Sequence, residues 1–224
     1  MTKKLIIHVL GLFFLAFGVS SIVLAKLGAA PLDAVNQFIS ELTKGTLTLG
    51  IATFISNAIM TMIILAFTRK PKILISLVIS LILSGFIDLW VYFYSFVPGD
   101  LMINVLFRII IVIVAILVIT VSTGVLIFNN LILSPYDEFV LFISDKAKSY
   151  QKGRLIVDVG FLSIAIILGF ILNNLTTKLS IFNTKNVIYQ QINIVTIILV
   201  LSLPVLIDAA TKFVKRRIGL NEIK

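Results

Sequence analysis

The sequence contains no cysteine, which removes disulfides, thiolate metal sites and cysteine nucleophiles from consideration. It has one histidine, His8, placed inside an apolar run, where neither a metal site nor general-base catalysis is expected. Charge is scarce too. Asp, Glu, Lys and Arg make up 13% of residues, about half the share in soluble domains. The motifs of zinc proteases, α/β-hydrolases, P-loop NTPases and dinucleotide-binding folds are all missing. No enzyme, no metal and no cofactor is expected from such a chain.

What remains is apolar. Hydrophobic residues make up 59% of the 224, and the mean hydropathy is +1.15. They fall in runs of roughly 20, the length a helix needs to cross the ~30 Å hydrocarbon layer. Backbone polar groups in lipid must be satisfied internally, by helix or closed barrel. Barrel strands alternate apolar and polar residues; the runs here, such as Ile109–Ile119, do not. The fold class is therefore an all-α membrane protein. Six spans are expected: Leu5–Ala25, Leu47–Phe67, Ile73–Phe96, Ile109–Phe128, Leu155–Leu172 and Val187–Ala209. Two further segments, Pro31–Leu42 and Pro135–Ser144, are too short and too polar to cross. The first run follows Lys3 and Lys4 and exceeds the about 7–15 apolar residues of a signal peptide, so it reads as a retained span.

The net charge of +9 would suggest nucleic acid in a soluble protein. Here the basic residues lie between apolar runs, where they set orientation, and no nucleic-acid partner is expected. With the N-terminus inside, only Lys26, Lys44, Arg108, Lys178 and Lys185 of the 19 Lys and Arg fall outside, leaving 14 within. The expected arrangement is a multi-pass protein of the cell membrane with both termini cytoplasmic. The cluster Lys212–Arg217 also suits anionic headgroups of the lipid bilayer.

The chain repeats itself. Gly18-Val19, Pro31-Leu32-Asp33 and Phe38-Ile39-Ser40-Glu41 return as Gly124-Val125, Pro135-Tyr136-Asp137 and Phe142-Ile143-Ser144-Asp145. Leu81–Asp88 aligns with Leu201–Asp208, each ending in Ile-Asp. Two units result, residues 1–98 and 99–224, each with three spans and a short Pro-x-Asp helix after the first. Three crossings per unit turn the second upside down. Inverted repeats give inward- and outward-facing states of similar energy, and many secondary transporters use them.

Gly18-Val19…Leu27-Gly28-Ala29-Ala30-Pro31-Leu32-Asp33, the second copy Gly124…Ser134-Pro135-Tyr136-Asp137, and Gly153-Arg154…Asp158 together resemble the YczE/YyaS/YitT-like bacterial integral membrane proteins. The second copy lacks the small glycine before its proline. The resemblance implies a bacterial cytoplasmic membrane and supplies no substrate.

The candidate site residues are the polar groups of these segments. Asp33 and Asp137 stand in the first turn of the short helices, where the helix dipole favours negative charge and where Ser134 offers a cap. They are either helix-start residues or, if both helices dip into the membrane, the two sides of a central site. Asn36 lies on the polar side of the first short helix, away from its apolar face. Such a helix fits the membrane surface as well as a re-entrant position. Asp88 and Asp208 are ionisable groups within spans, which insertion costs make functional candidates. Lys212 is spaced to pair with Asp208, and Arg154 with Asp158. Hairpin depth suggests an Asp88–Arg108 contact. Asn57 is a lone amide in mid-span, Asn129-Asn130 closes the fourth span, and Gly18 and Gly124 suit close helix packing. Ser20, Ser21, Ser122 and Thr123 beside those glycines suit either packing or a polar path.

The leading expectation is a small secondary transporter or permease for a polar or cationic solute, sited between the repeats near Asp33 and Asp137. The alternative is a non-transporting subunit or regulator of another membrane system. Assembly into a homo-oligomer is left open.

Overall fold

The computed structural model describes residues 2–129, 131–176 and 187–219; Asn130, Lys178 and Lys185 lie outside them. The described residues form ten α-helices and no strand. In order these are α1 (Thr2–Ala25), α2 (Pro31–Leu42), α3 (Leu49–Thr68), α4 (Ile75–Tyr94), α5 (Gly99–Ile103), α6 (Val105–Asn129), α7 (Pro135–Ala147), α8 (Tyr150–Thr176), α9 (Val187–Gln191) and α10 (Ile194–Gly219). A single 3₁₀ turn, Pro71–Leu74, precedes α4.

Six of them, α1, α3, α4, α6, α8 and α10, are long and apolar enough to cross a membrane. The protein is a multi-pass membrane protein. At 1.5 Å per residue the 24 residues of α1 reach about 36 Å, enough to span, whereas the 12 of α2 reach about 18 Å and cannot. The span at the C-terminal end differs from expectation. Residues 187–191 form the separate helix α9, and α10 begins only at Ile194. The break has a local cause: the Asn193 side chain accepts from the Val195 N–H and starts a new helix.

α1 and α6 pack along each other, with α4 beside α1 and α10 beside α6. Glycine allows both close approaches. A Cβ on Gly18 would overlap the Ile119 side chain of α6, and one on Gly124 would press on Ala210 and Thr211 of α10. Lipid tails are as apolar as leucine, so such small-residue contacts and interhelical hydrogen bonds carry much of the cohesion. Ser20 donates to the Ile87 carbonyl of α4, and the Trp90 indole donates to the Phe13 carbonyl of α1.

α1 and α6 are tied at both ends. Asn129 donates to the Lys4 carbonyl, and the Arg108 guanidinium donates to the carbonyls of Ala25 and Lys26. Their antiparallel ends therefore coincide. This corrects the expected Asp88–Arg108 pair: Arg108 satisfies the orphan carbonyls at the end of α1, and Asp88 faces α3 instead.

The short helices do not lie apart from the bundle. α2 and α7 both pack against both α3 and α8. Buried Asn36 fastens α2 to α3, donating to Thr53 and accepting from Ser56.

Candidate functional site

The two Pro-x-Asp turns start alike and end differently. Pro31 and Pro135 each fill the first helical position, where the missing N–H has no intrahelical use. Ahead of α7, Ser134 caps the helix: its hydroxyl accepts from the Asp137 N–H and donates to the Asp137 carboxylate at 2.7 Å. Ahead of α2 stands Ala30, which has no side chain with which to cap. Among the described residues the Asp33 carboxylate has no hydrogen-bond or ion-pair partner. The helix-start reading thus accounts for much of Asp137 and leaves Asp33 unexplained.

Both aspartates line one cavity of about 130 Å³ at the centre of the protein. Its wall draws on all six spanning helices as well as α2 and α7. Leu15, Val19, Ile22, Leu83, Ile87 and Ile119 make one side apolar. The polar side holds Asp33, Thr53, Asn57, Tyr136, Asp137, Arg154 and Asp158.

Arg154 and Asp158, one turn apart on α8, are both buried and form an ion pair at 3.8 Å. The Tyr136 hydroxyl donates to Asp158, and the Tyr136 ring lies 5.7 Å from the Arg154 guanidinium. The Tyr150 hydroxyl accepts from Arg154. Asn57 is 2% exposed, and its amide oxygen has no hydrogen-bond partner among the described residues. Asp137 and Asp158 thus act on one guanidinium, and Asp33 lines the same cavity. Neither short helix spans the membrane, and burial raises the pKa of both their aspartates. For Asp33 the value reaches about 7, with the Asp158 charge adding to the rise. For Asp137 the Ser134 hydrogen bond and Arg154 oppose the effect of burial.

Of the residues singled out by sequence, the cavity gathers Asp33, Asn57, Asp137 and Asp158, along with Thr123. Asn36 stands one layer behind, holding Thr53 in place. Asp88, Arg108 and Asp208 lie elsewhere. Asp88 caps α3, accepting from the Thr48 hydroxyl at 2.6 Å and the Gly50 N–H at 2.8 Å. Asp208 pairs with Lys212 at 2.6 Å, as its spacing indicated. The sequence assigns Tyr136 no role beyond its place in the Pro-x-Asp motif, and it offers Arg154 as Asp158's partner but not as part of a common site. Their signal was the contrast between the repeats: tyrosine where the first copy has Leu32, and arginine in the first turns of a span.

A second cavity, about 440 Å³, lies among α6, α7, α8 and α10. Asp137 and Ile207 line both cavities. Its rim includes the exposed residues Gln151 and Asp208, so it reaches the surface.

The comparisons place the chain without assigning it an activity. Residues 2–212 match the model of a family of unknown function, DUF6198. The chain belongs to this family. No curated protein and no solved structure matches it. The DUF6198 match runs from α1 into the last spanning helix, so both short helices and every cavity residue fall within it.

Proposed function

We propose that the protein is a small secondary transporter that moves a cationic solute through the central cavity by alternating access. One observation carries this reading: aspartates from two short helices, far apart in sequence, line one interior cavity, and Asp137 and Ile207 of its wall also line a second cavity that reaches the surface. A membrane scaffold has no need of an unpartnered carboxylate in its interior, where a charge is expensive.

The pairing of helices supports an inverted repeat. α1 with α4 has its counterpart in α6 with α10, and α2 with α8 in α7 with α3. On this reading the two units alternate. The side at which α3 meets α4 is shut, and the side at which α8 meets α10 is open. With the 14 basic residues inside, as the positive-inside rule favours, the open side would face the cytoplasm, in the bacterial cytoplasmic membrane that the family resemblance implies. Asp33, held near neutrality, can exchange a proton for the solute's positive charge.

Reconstituted vesicles with a pH gradient test the proposal. The expected result is cation uptake that ceases in Asp33→Asn and Asp137→Asn. Uptake of candidate solutes unchanged by both substitutions would overturn it, and a stable co-purifying partner without any flux would favour a subunit role.

A further inference from the structure

α3 and α8 begin at Leu49 and Tyr150. Counted from these starts, Thr53 and Arg154 hold the same helical position, and one turn later so do Asn57 and Asp158. Asp33 and Asp137 correspond in the short helices. Each half therefore contributes the same three positions to the cavity. In the second half a cation fills the middle position: Arg154 lies 3.8 Å from Asp158 and against the Tyr136 ring, and Asp137 takes the Ser134 hydroxyl. In the first half the arginine's place is taken by Thr53, too short to reach across, and turned back to the Leu49 carbonyl. Around it the acceptors are left over. The Asp33 carboxylate has no partner among the described residues, and the buried Asn57 oxygen has none.

We infer that the first half binds an organic cation whose head takes the place Arg154 occupies in the second: a monovalent guanidinium or primary ammonium on a short apolar body. The head donates to Asp33 and to the Asn57 oxygen. The body lies on the apolar wall of Leu15, Val19, Leu83 and Ile87. A cavity of about 150 Å³ accepts a ligand the size of benzene, so the 130 Å³ here suits a compact cation. An anion is disfavoured, because Asp33, Asp137 and Asp158 line the cavity with a single guanidinium, that of Arg154. A bare metal ion is disfavoured too, since no group of three metal-ligating side chains is present among the described residues.

This inference rests on the transport reading for its purpose but is tested by binding alone. The full chain in lipid nanodiscs is titrated with butylguanidinium, butylammonium, butyramide, butyrate and sodium chloride, and thermal unfolding is followed. A ligand that binds only the folded state raises its stability by mass action. The two organic cations are expected to raise Tm in a saturable way; the amide, the carboxylate and the salt are not. Asp33→Asn should weaken the cation response by about tenfold to a hundredfold, the loss of one charge-assisted hydrogen bond. Thr53→Arg should abolish it, because the protein then supplies its own guanidinium. If Thr53→Arg does not fold, Asn57→Leu reads the same contact from the other side and should weaken the cations alone. Equal shifts with butyramide or butyrate, or an undiminished response in Asp33→Asn, would overturn the inference. Cations that bind but never cross a vesicle membrane would instead remove the transport reading and leave this one standing.

Discussion

The seam between α3 and α4 and the seam between α8 and α10, counterparts on the proposed inverted repeat, differ in that one is closed and the other is not. α3 lies close along α4 because Gly50 has no side chain; a Cβ there would overlap the Ser84 carbonyl and the Asp88 carboxylate. Asp88 then reaches the start of α3 and satisfies an orphan N–H with a charged acceptor. α10 carries the corresponding aspartate, Asp208, but it turns to Lys212 on its own helix, and the 440 Å³ vestibule lies where the partner helix would be. The connecting loops differ in the same sense. Gly28, at φ 112°, lets the N–H groups of Gly28 and Ala29 donate to the carbonyls of Gln190 and Gln191, clamping the loop before α2. The loop before α7 has no such glycine. On the inverted-repeat reading proposed above, one latch present in two copies is engaged in one and disengaged in the other.

The contrast can be broken most severely at Gly50. Gly50→Val forces a branched side chain against backbone that cannot move aside, and overpacking of this kind costs about 1–3 kcal/mol. It should part α3 from α4. Because the chain has no cysteine, a single Thr48→Cys reporter in that background reads the result cleanly: thiol labelling is expected to rise several-fold, and unchanged labelling would mean the seam does not depend on the glycine.

A milder pair of substitutions sharpens the comparison. Asp88→Asn removes a charged acceptor from two donors, worth up to about 2 kcal/mol at this partly exposed position. Asp208→Asn removes only an ion pair with side chains 61% and 69% exposed, worth about 0–1 kcal/mol. Thermal unfolding should therefore separate the two variants, with Asp88→Asn the lower. Equal losses would mean that the two aspartates do the same work in this state.

Much of this architecture can be read from residues alone. Six apolar runs, two Pro-x-Asp starts and the Arg154–Asp158 and Asp208–Lys212 spacings all anticipate what the helices do, because each depends on neighbours a few residues apart. Asp88 shows the limit. Counting residues from a hairpin turn gives depth in the membrane but not the direction a side chain takes around its helix, so Arg108 looked like its partner when the true partner was the start of α3. Tyr136 was missed for a related reason: its hydroxyl matters only because α7 folds back against α8.

Distances across the two seams test the central claim most directly. Spin labels at Thr46→Cys with Tyr92→Cys report the closed seam, and labels at Lys152→Cys with Lys212→Cys report the open one. On adding butylguanidinium at varied pH, the second distance is expected to shorten as the first lengthens, the two populations changing in opposite directions. A single fixed distance at both seams under every condition, or two distances that change together, would contradict the exchange of one latch for the other.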